Sequence, residues 1–262
     1  MLTRDDIVFE EDLLAHAHIY SQDEVKDALV ELIHAFVIEL GIKRLDKVVV
    51  KKTDFFDTKL GIANYKNYTI VLANNIAYCL ADKSARFYRR SLAVLKHELY
   101  HFQDFQNLLL NRVFKRISEI NADVLENFHY WSEFFASYST FEVCEDEEVY
   151  LSFKSVYQKS YSSNEDKKYY ACQLMGYYLN ENHSAVCDEL IQEYLSKEHI
   201  KETEALLRSV LISYPVFTAE QLKSIGVIMN ELIIKKIESP IYTPVSKTKL
   251  LSNLIRKCKD DK

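Results

Sequence analysis

The sequence predicts an α+β fold that is predominantly α: a small sheet with a long helix in residues 1–140, then an all-helical unit in residues 141–262. Three observations predict it. Apolar residues recur at helical spacing over most of the chain. Two short stretches, Lys47-Val-Val-Val50 and Ile62 to Leu72, read instead as strands. Only four Gly and three Pro occur in 262 residues, far below the roughly 12% of average usage, which argues against disorder and turn-rich all-β folds.

The elements follow in order. Ser21-Gln-Asp-Glu24 is a capping-box pattern, Val25, Leu29, Leu32, Ile33, Phe36, Val37 and Leu40 follow at helical spacing, and Gly41 closes the helix. Lys47–Val50 is a buried strand, and Ile62 to Leu72 is a hairpin turning at Asn64-Tyr-Lys-Asn67. From Lys83 to Val113 there is neither Gly nor Pro, and Phe87, Leu92, Leu95, Leu99, Phe102, Phe105 and Leu109 mark one long helix. Ser118 is the expected N-cap of the next helix, which carries Ile120, Val124, Phe128, Trp131, Phe135 and Tyr138. The acidic cluster Glu142, Glu145, Asp146, Glu147 and Glu148 is the expected boundary between the two units. Beyond it the spacing predicts helices over about 149–160, 164–180, 184–196, 200–213 and 219–237, the last starting at Thr218-Ala-Glu-Gln221. The end, from Lys247 to Lys262, reads as a docked helix with a basic face.

Composition excludes several function classes. A net charge of −6 provides no global field for nucleic acid. Cys79, Cys144, Cys172, Cys187 and Cys258 are odd in number and never in C-x-x-C spacing, so neither a disulfide framework nor a cysteine zinc knuckle is expected. The acidic start and the lack of an apolar run of about 18 residues predict a cytoplasmic chain without a membrane span. There is no Gly-rich phosphate loop and no G-x-S-x-G elbow.

One motif carries chemistry. His97-Glu98-Leu99-Tyr100-His101 is H-E-x-x-H within the long helix. The i, i+4 spacing puts both imidazoles on one face a turn apart, able to present two nitrogens to one Zn²⁺. Glu98 projects beside that face, where its carboxylate can take a proton from metal-bound water. Asp104 shares the face and is placed to orient a ligand imidazole. His129, Tyr130 and Tyr138 are candidate donors to a developing oxyanion. His16 and His18 lie on an unassigned loop, and His34 reads as a packing or surface residue.

Taken together, Asn67-Tyr-Thr-Ile-Val-Leu-Ala-Asn, Ala93-Val-Leu-Lys-His-Glu-Leu-Tyr-His and Trp131-Ser-Glu-Phe-Phe-Ala136 resemble the small gluzincin metallopeptidases, including the ImmA/IrrE-like family. The resemblance covers roughly residues 45 to 140. It implies a zincin-like N-terminal unit with one Zn²⁺ per chain, and a glutamate in an E-x-x-A context on the next helix, here Glu133, as the third ligand.

Geometry leaves two candidates for that ligand, Glu119 (with Asp123 four residues on) and Glu133. They share a helix face about 21 Å apart, so only one can reach the metal. A helix–helix turn near Asn111 selects Glu119 and one near Ser118 selects Glu133. Ser118 is the better N-cap, and the resemblance favours Glu133 as well. The expected function is zinc-dependent peptide-bond hydrolysis on a peptide or protein substrate. Metal would be held by His97, His101 and Glu133, Glu98 would be the general base, and the strand Tyr68 to Leu72 would pair with substrate backbone. The alternative is a non-catalytic helical interaction protein with a degenerate zincin-like core, and a lesser one is a regulator acting through the basic tail.

Overall fold

The computed structural model describes residues 2–10, 20–52, 60–110, 122–140, 164–180, 185–216 and 218–232. The expected helix over 149–160, the Ser118 cap, Glu119, His16, His18, the acidic cluster and the basic C-terminal stretch lie outside the described residues. Among those described, eight α-helices accompany one four-stranded sheet, an α+β fold that is predominantly helical.

The strands are β1 (Ile7–Phe9), β2 (Lys47–Lys51), β3 (Gly61–Asn64) and β4 (Thr69–Ala73), in the order β1-β2-β4-β3. β2 lies between β1 and β4 and runs parallel to both, whereas β3 is antiparallel to β4. Register explains the buried face: Ile7 is opposite Val48, Val48 opposite Ile70 and Val50 opposite Leu72, all with no exposed surface. The hairpin turns at residues 65–68. It makes β4 an inner strand, so the edges among the described strands are β1 and β3 and not the expected Tyr68–Leu72. The hairpin forms where the sequence predicts it, but which arm meets a third strand depends on pairing with β2, a long-range choice.

α1 (Gln22–Glu39) begins with the reciprocal cap its sequence calls for: Ser21 Oγ accepts from the Glu24 amide at 3.3 Å, and the Ser21 amide donates to Glu24 Oε2 at 2.7 Å. It ends at Gly41, with φ +64°. There the Gly41 amide bonds Ile38 O at 3.2 Å and the Ile42 amide bonds Val37 O at 2.9 Å, the paired bonds of a Schellman ending.

α2 (Asn74–Leu80) follows β4 without a break, and α3 (Tyr88–Leu110) comes next. The expected helix from Lys83 starts five residues late because Asp82 Oδ1 accepts from the Ser84 amide at 2.8 Å and its hydroxyl at 2.7 Å, a local turn that competes with helix. α4 (Ala122–Thr140), α5 (Asn164–Leu179), α6 (Ala185–Tyr194), α7 (Ile200–Ser213) and α8 (Ala219–Leu232) complete the set. Thr218 and Gln221 cap α8 reciprocally, at 3.1 and 2.9 Å.

Buried apolar side chains form two clusters. One joins the sheet, α1 and α2 to Leu95, Leu99 and Phe102 of α3. The other joins Phe105 and Leu108 of α3 to α4 (Phe128, Trp131, Phe134, Phe135) and to α5–α8. α3 is therefore common to both, and His97 and His101 lie among the residues, Leu95 to Phe102, that it gives to the first. None of the described helices is long and apolar enough to cross a membrane.

Candidate metal centre

One helical turn separates His97 from His101 on α3, and their Nε2 atoms lie 3.0 Å apart. α4 brings Glu133 to the same point, with Oε2 at 3.3 Å from His97 Nε2 and Oε1 at 3.5 Å from His101 Nε2. The three residues form a cluster that could hold a metal ion. The geometry can be tested. Donors about 2.0–2.1 Å from a tetrahedral Zn²⁺ are separated by about 3.3 Å, the spacing found here. The donor set is also apt: two imidazole nitrogens and a carboxylate are all Lewis bases, and facing lone pairs repel unless a proton or metal cation lies between them.

Surrounding groups hold the donors. His101 Nδ1 is 2.8 Å from Ser132 Oγ. With Nδ1–H donating to that oxygen, Nε2 keeps its lone pair for a metal. Gln173 Nε2, from α5, donates to Glu133 Oε2 at 2.7 Å. Burial opposes ionisation of Glu133, but His101, His97 and the Gln173 amide outweigh it and hold the carboxyl at about 2. Burial, assisted by the neighbouring imidazoles of His97 and His129, drives His101 down to about 3. The site therefore favours a neutral His101 and an ionised Glu133, the forms that bind metal, while against burial the hydrogen bond to Glu133 raises His97 and favours a proton there that a metal ion would displace.

Glu98 is 6% exposed. Its carboxyl lies against β3, where a Cβ on Gly61 would stand 2.6 Å from Oε1. Burial first and the Glu133 charge second push it up to about 7, against the opposing pull of His97 and the Ala63 amide.

Asp104 does not touch the ligand imidazoles as expected. Its Oδ1 accepts from Trp131 Nε1 at 3.1 Å, and Ser132, which contacts His101, lies near enough to favour the ionised form. Burial dominates all the same and pushes Asp104 up to about 8, with Oδ2 left without a hydrogen-bond partner.

The remaining candidates sort by position. Asp123 is exposed near the start of α4, about 15 Å along the helix from Glu133. Tyr130 donates its hydroxyl to Glu126 on its own helix, which occupies it away from an oxyanion role. Tyr138 stacks on Phe134 at 6.0 Å. His129 stands 6.0 Å from the Tyr65 ring, close enough to the cluster to act on His101 electrostatically. His34 Nε2 meets the Leu2 carbonyl at 2.7 Å, a packing role.

Three contributors were not foreseen: Ser132, Gln173 and Tyr65. Tyr65 stacks on Phe105 at 4.5 Å, and its hydroxyl bonds Ser132 within reach of the Glu98, Asp104 and Glu133 charges. Ser132 is adjacent to Glu133 in the sequence, and its hydroxyl was the one available signal, since ligand imidazoles donate their second N–H to a nearby acceptor. Gln173 left none. Compared with protein families, with curated proteins and with solved structures, the chain gives no significant match.

Proposed function

We propose that the protein is a zinc-dependent peptidase whose metal is held by His97, His101 and Glu133. The observation carrying this reading is the convergence of two imidazole nitrogens, 3.0 Å apart, with the Glu133 carboxylate, whose oxygens lie 3.3 Å from His97 and 3.5 Å from His101, beside the buried carboxyl of Glu98. Zinc bound there supplies Lewis acidity toward a scissile carbonyl and activates water near neutral pH. The chain does the rest. Glu98, poised at about 7, accepts the proton from the attacking water and returns it to the leaving amine. The Ala63 amide, which favours ionised Glu98, holds that carboxylate toward the open strand β3. A substrate in extended form adds alongside β3. Ser132 keeps His101 in the ligating tautomer. The substrate class is peptide or protein, reached in a cytoplasmic setting.

The test is metal content of the purified untagged protein by elemental analysis, followed by peptide-library digestion read by mass spectrometry. About one zinc per chain is expected, lost in His97→Ala and Glu133→Ala. Glu98→Gln should keep the zinc and lose the cleavage, by about 10²-fold or more. A chain that stays metal-free after reconstitution with zinc refutes the reading and leaves the interaction-protein alternative. Zinc retained in Glu133→Ala reassigns the third ligand.

A further inference from the structure

We infer that Gln173 is a positioning residue of the metal centre, so that the helical unit after the acidic cluster is a working part of the site rather than an appendage. The inference rests on the metal reading above and deepens it. A carboxylate can only accept hydrogen bonds, so the amide atom 2.7 Å from Glu133 Oε2 is the donating Nε2. Oε2, 3.3 Å from His97 Nε2, then has one lone pair taken by the amide, whereas Oε1, 3.5 Å from His101 Nε2, keeps both free of it. A carboxylate gripped in this way ligates through one oxygen, and the fourth position stays open for water, as a hydrolytic zinc site requires.

A second, independent feature puts Gln173 there. Gly176, one turn further along α5, packs on the backbone of α4 so closely that an added Cβ would be 2.4 Å from Phe134 O and 2.8 Å from Ser137 Cβ. Residues i and i+3 share a helix face. The contact that brings α5 against α4 beside Glu133 therefore also aims Gln173 at its carboxylate. Ala171, Leu174 and Met175 anchor this arrangement, all without exposed surface in the second apolar cluster.

The experiment uses the full chain with Gln173→Leu, and Gln173→Met to keep the side-chain length without the amide. Zinc affinity is read by competition with a chromophoric chelator, and coordination by the visible spectrum of the Co²⁺-loaded protein. The positioning role predicts zinc binding about 10–100-fold weaker in both variants, the usual effect of losing a partner of a metal ligand. It also predicts a weaker Co²⁺ absorption band, as four-coordinate metal gains a second carboxylate oxygen. A merely structural role would leave that band unchanged in whatever fraction binds cobalt. Wild-type affinity and an unchanged spectrum in Gln173→Met overturn the assignment while leaving the metal site standing. A wild-type chain that binds neither ion overturns the metal reading and this inference with it.

Discussion

Replacing Asp104 with Asn should stabilise the metal-free protein, and by more as the pH rises. Asp104 has no exposed surface, and its carboxyl is raised from 3.8 to about 8 by burial. A carboxyl raised in this way binds its proton more tightly in the folded chain than in the unfolded one. Its contribution is fully favourable below pH 3.8 and is lost progressively as the pH climbs toward 8. At about 1.4 kcal/mol per pH unit, the loss relative to a neutral isostere is about 2 kcal/mol at pH 5 and about 4 kcal/mol at pH 7. Asn keeps an oxygen for the Trp131 indole N–H and carries no charge to bury. The assay is urea unfolding in chelator at both pH values, followed through fluorescence of the single Trp, Trp131, which donates to this very side chain. The Asn variant should be the more stable, with its margin growing between two- and threefold from pH 5 to pH 7. A margin independent of pH, or an Asn variant less stable at pH 7, refutes the argument from burial.

Three further outcomes are expected. Gly61→Ala places a Cβ 2.6 Å from Glu98 Oε1; metal analysis should still find one zinc per chain, while peptide cleavage falls at least tenfold as the carboxylate is displaced. Gly176→Ala meets backbone atoms at 2.4 and 2.8 Å and should lose about 1–3 kcal/mol in denaturant melts. Gly226→Ala is the contrasting case: its close neighbour is the end of the Asn127 side chain, which can swing aside, so helix propensity should hold the change within about 1 kcal/mol of wild type.

Elements whose determinants are local were legible in the sequence. The Ser21 box, the Gly41 stop and the Thr218 cap are interactions within a few residues, and each is made as its pattern implies. Among the four described helices after residue 163, the limits fall within a few residues of those expected, apart from the last end at 237, which lies outside the described residues. What escaped depends on distant partners or on short segments. β1 has three residues, too few for a pattern, and exists because Ile7–Phe9 finds Val48–Val50 alongside it. α2 follows β4 directly with no loop residue to mark the change. The same division holds at the site. The spacing of His97, Glu98 and His101 is intrahelical and could be read directly. Glu133 required a choice between two turns, and Gln173 required knowing that α5 lies on α4. Asp104 was placed on the right face, but its partner, the Trp131 indole, comes from another helix.

The sharing of α3 between two apolar clusters has a consequence for motion. A helix buried on one core can fray or open when that core loosens, exposing its amides to solvent exchange. The middle of α3 is pinned on one side by Leu99 and Phe102 and on the other by Phe105 and Leu108. Opening there requires both clusters to yield in the same event. The amides between Leu99 and Leu108 are therefore expected to exchange more slowly than those of the first turn of α3, through openings that loosen both clusters. Glu133 is carried between Trp131, Ser132 and Phe134, all buried on α4, so both sides of the cluster sit on backbone that an arriving ion must take as it finds it.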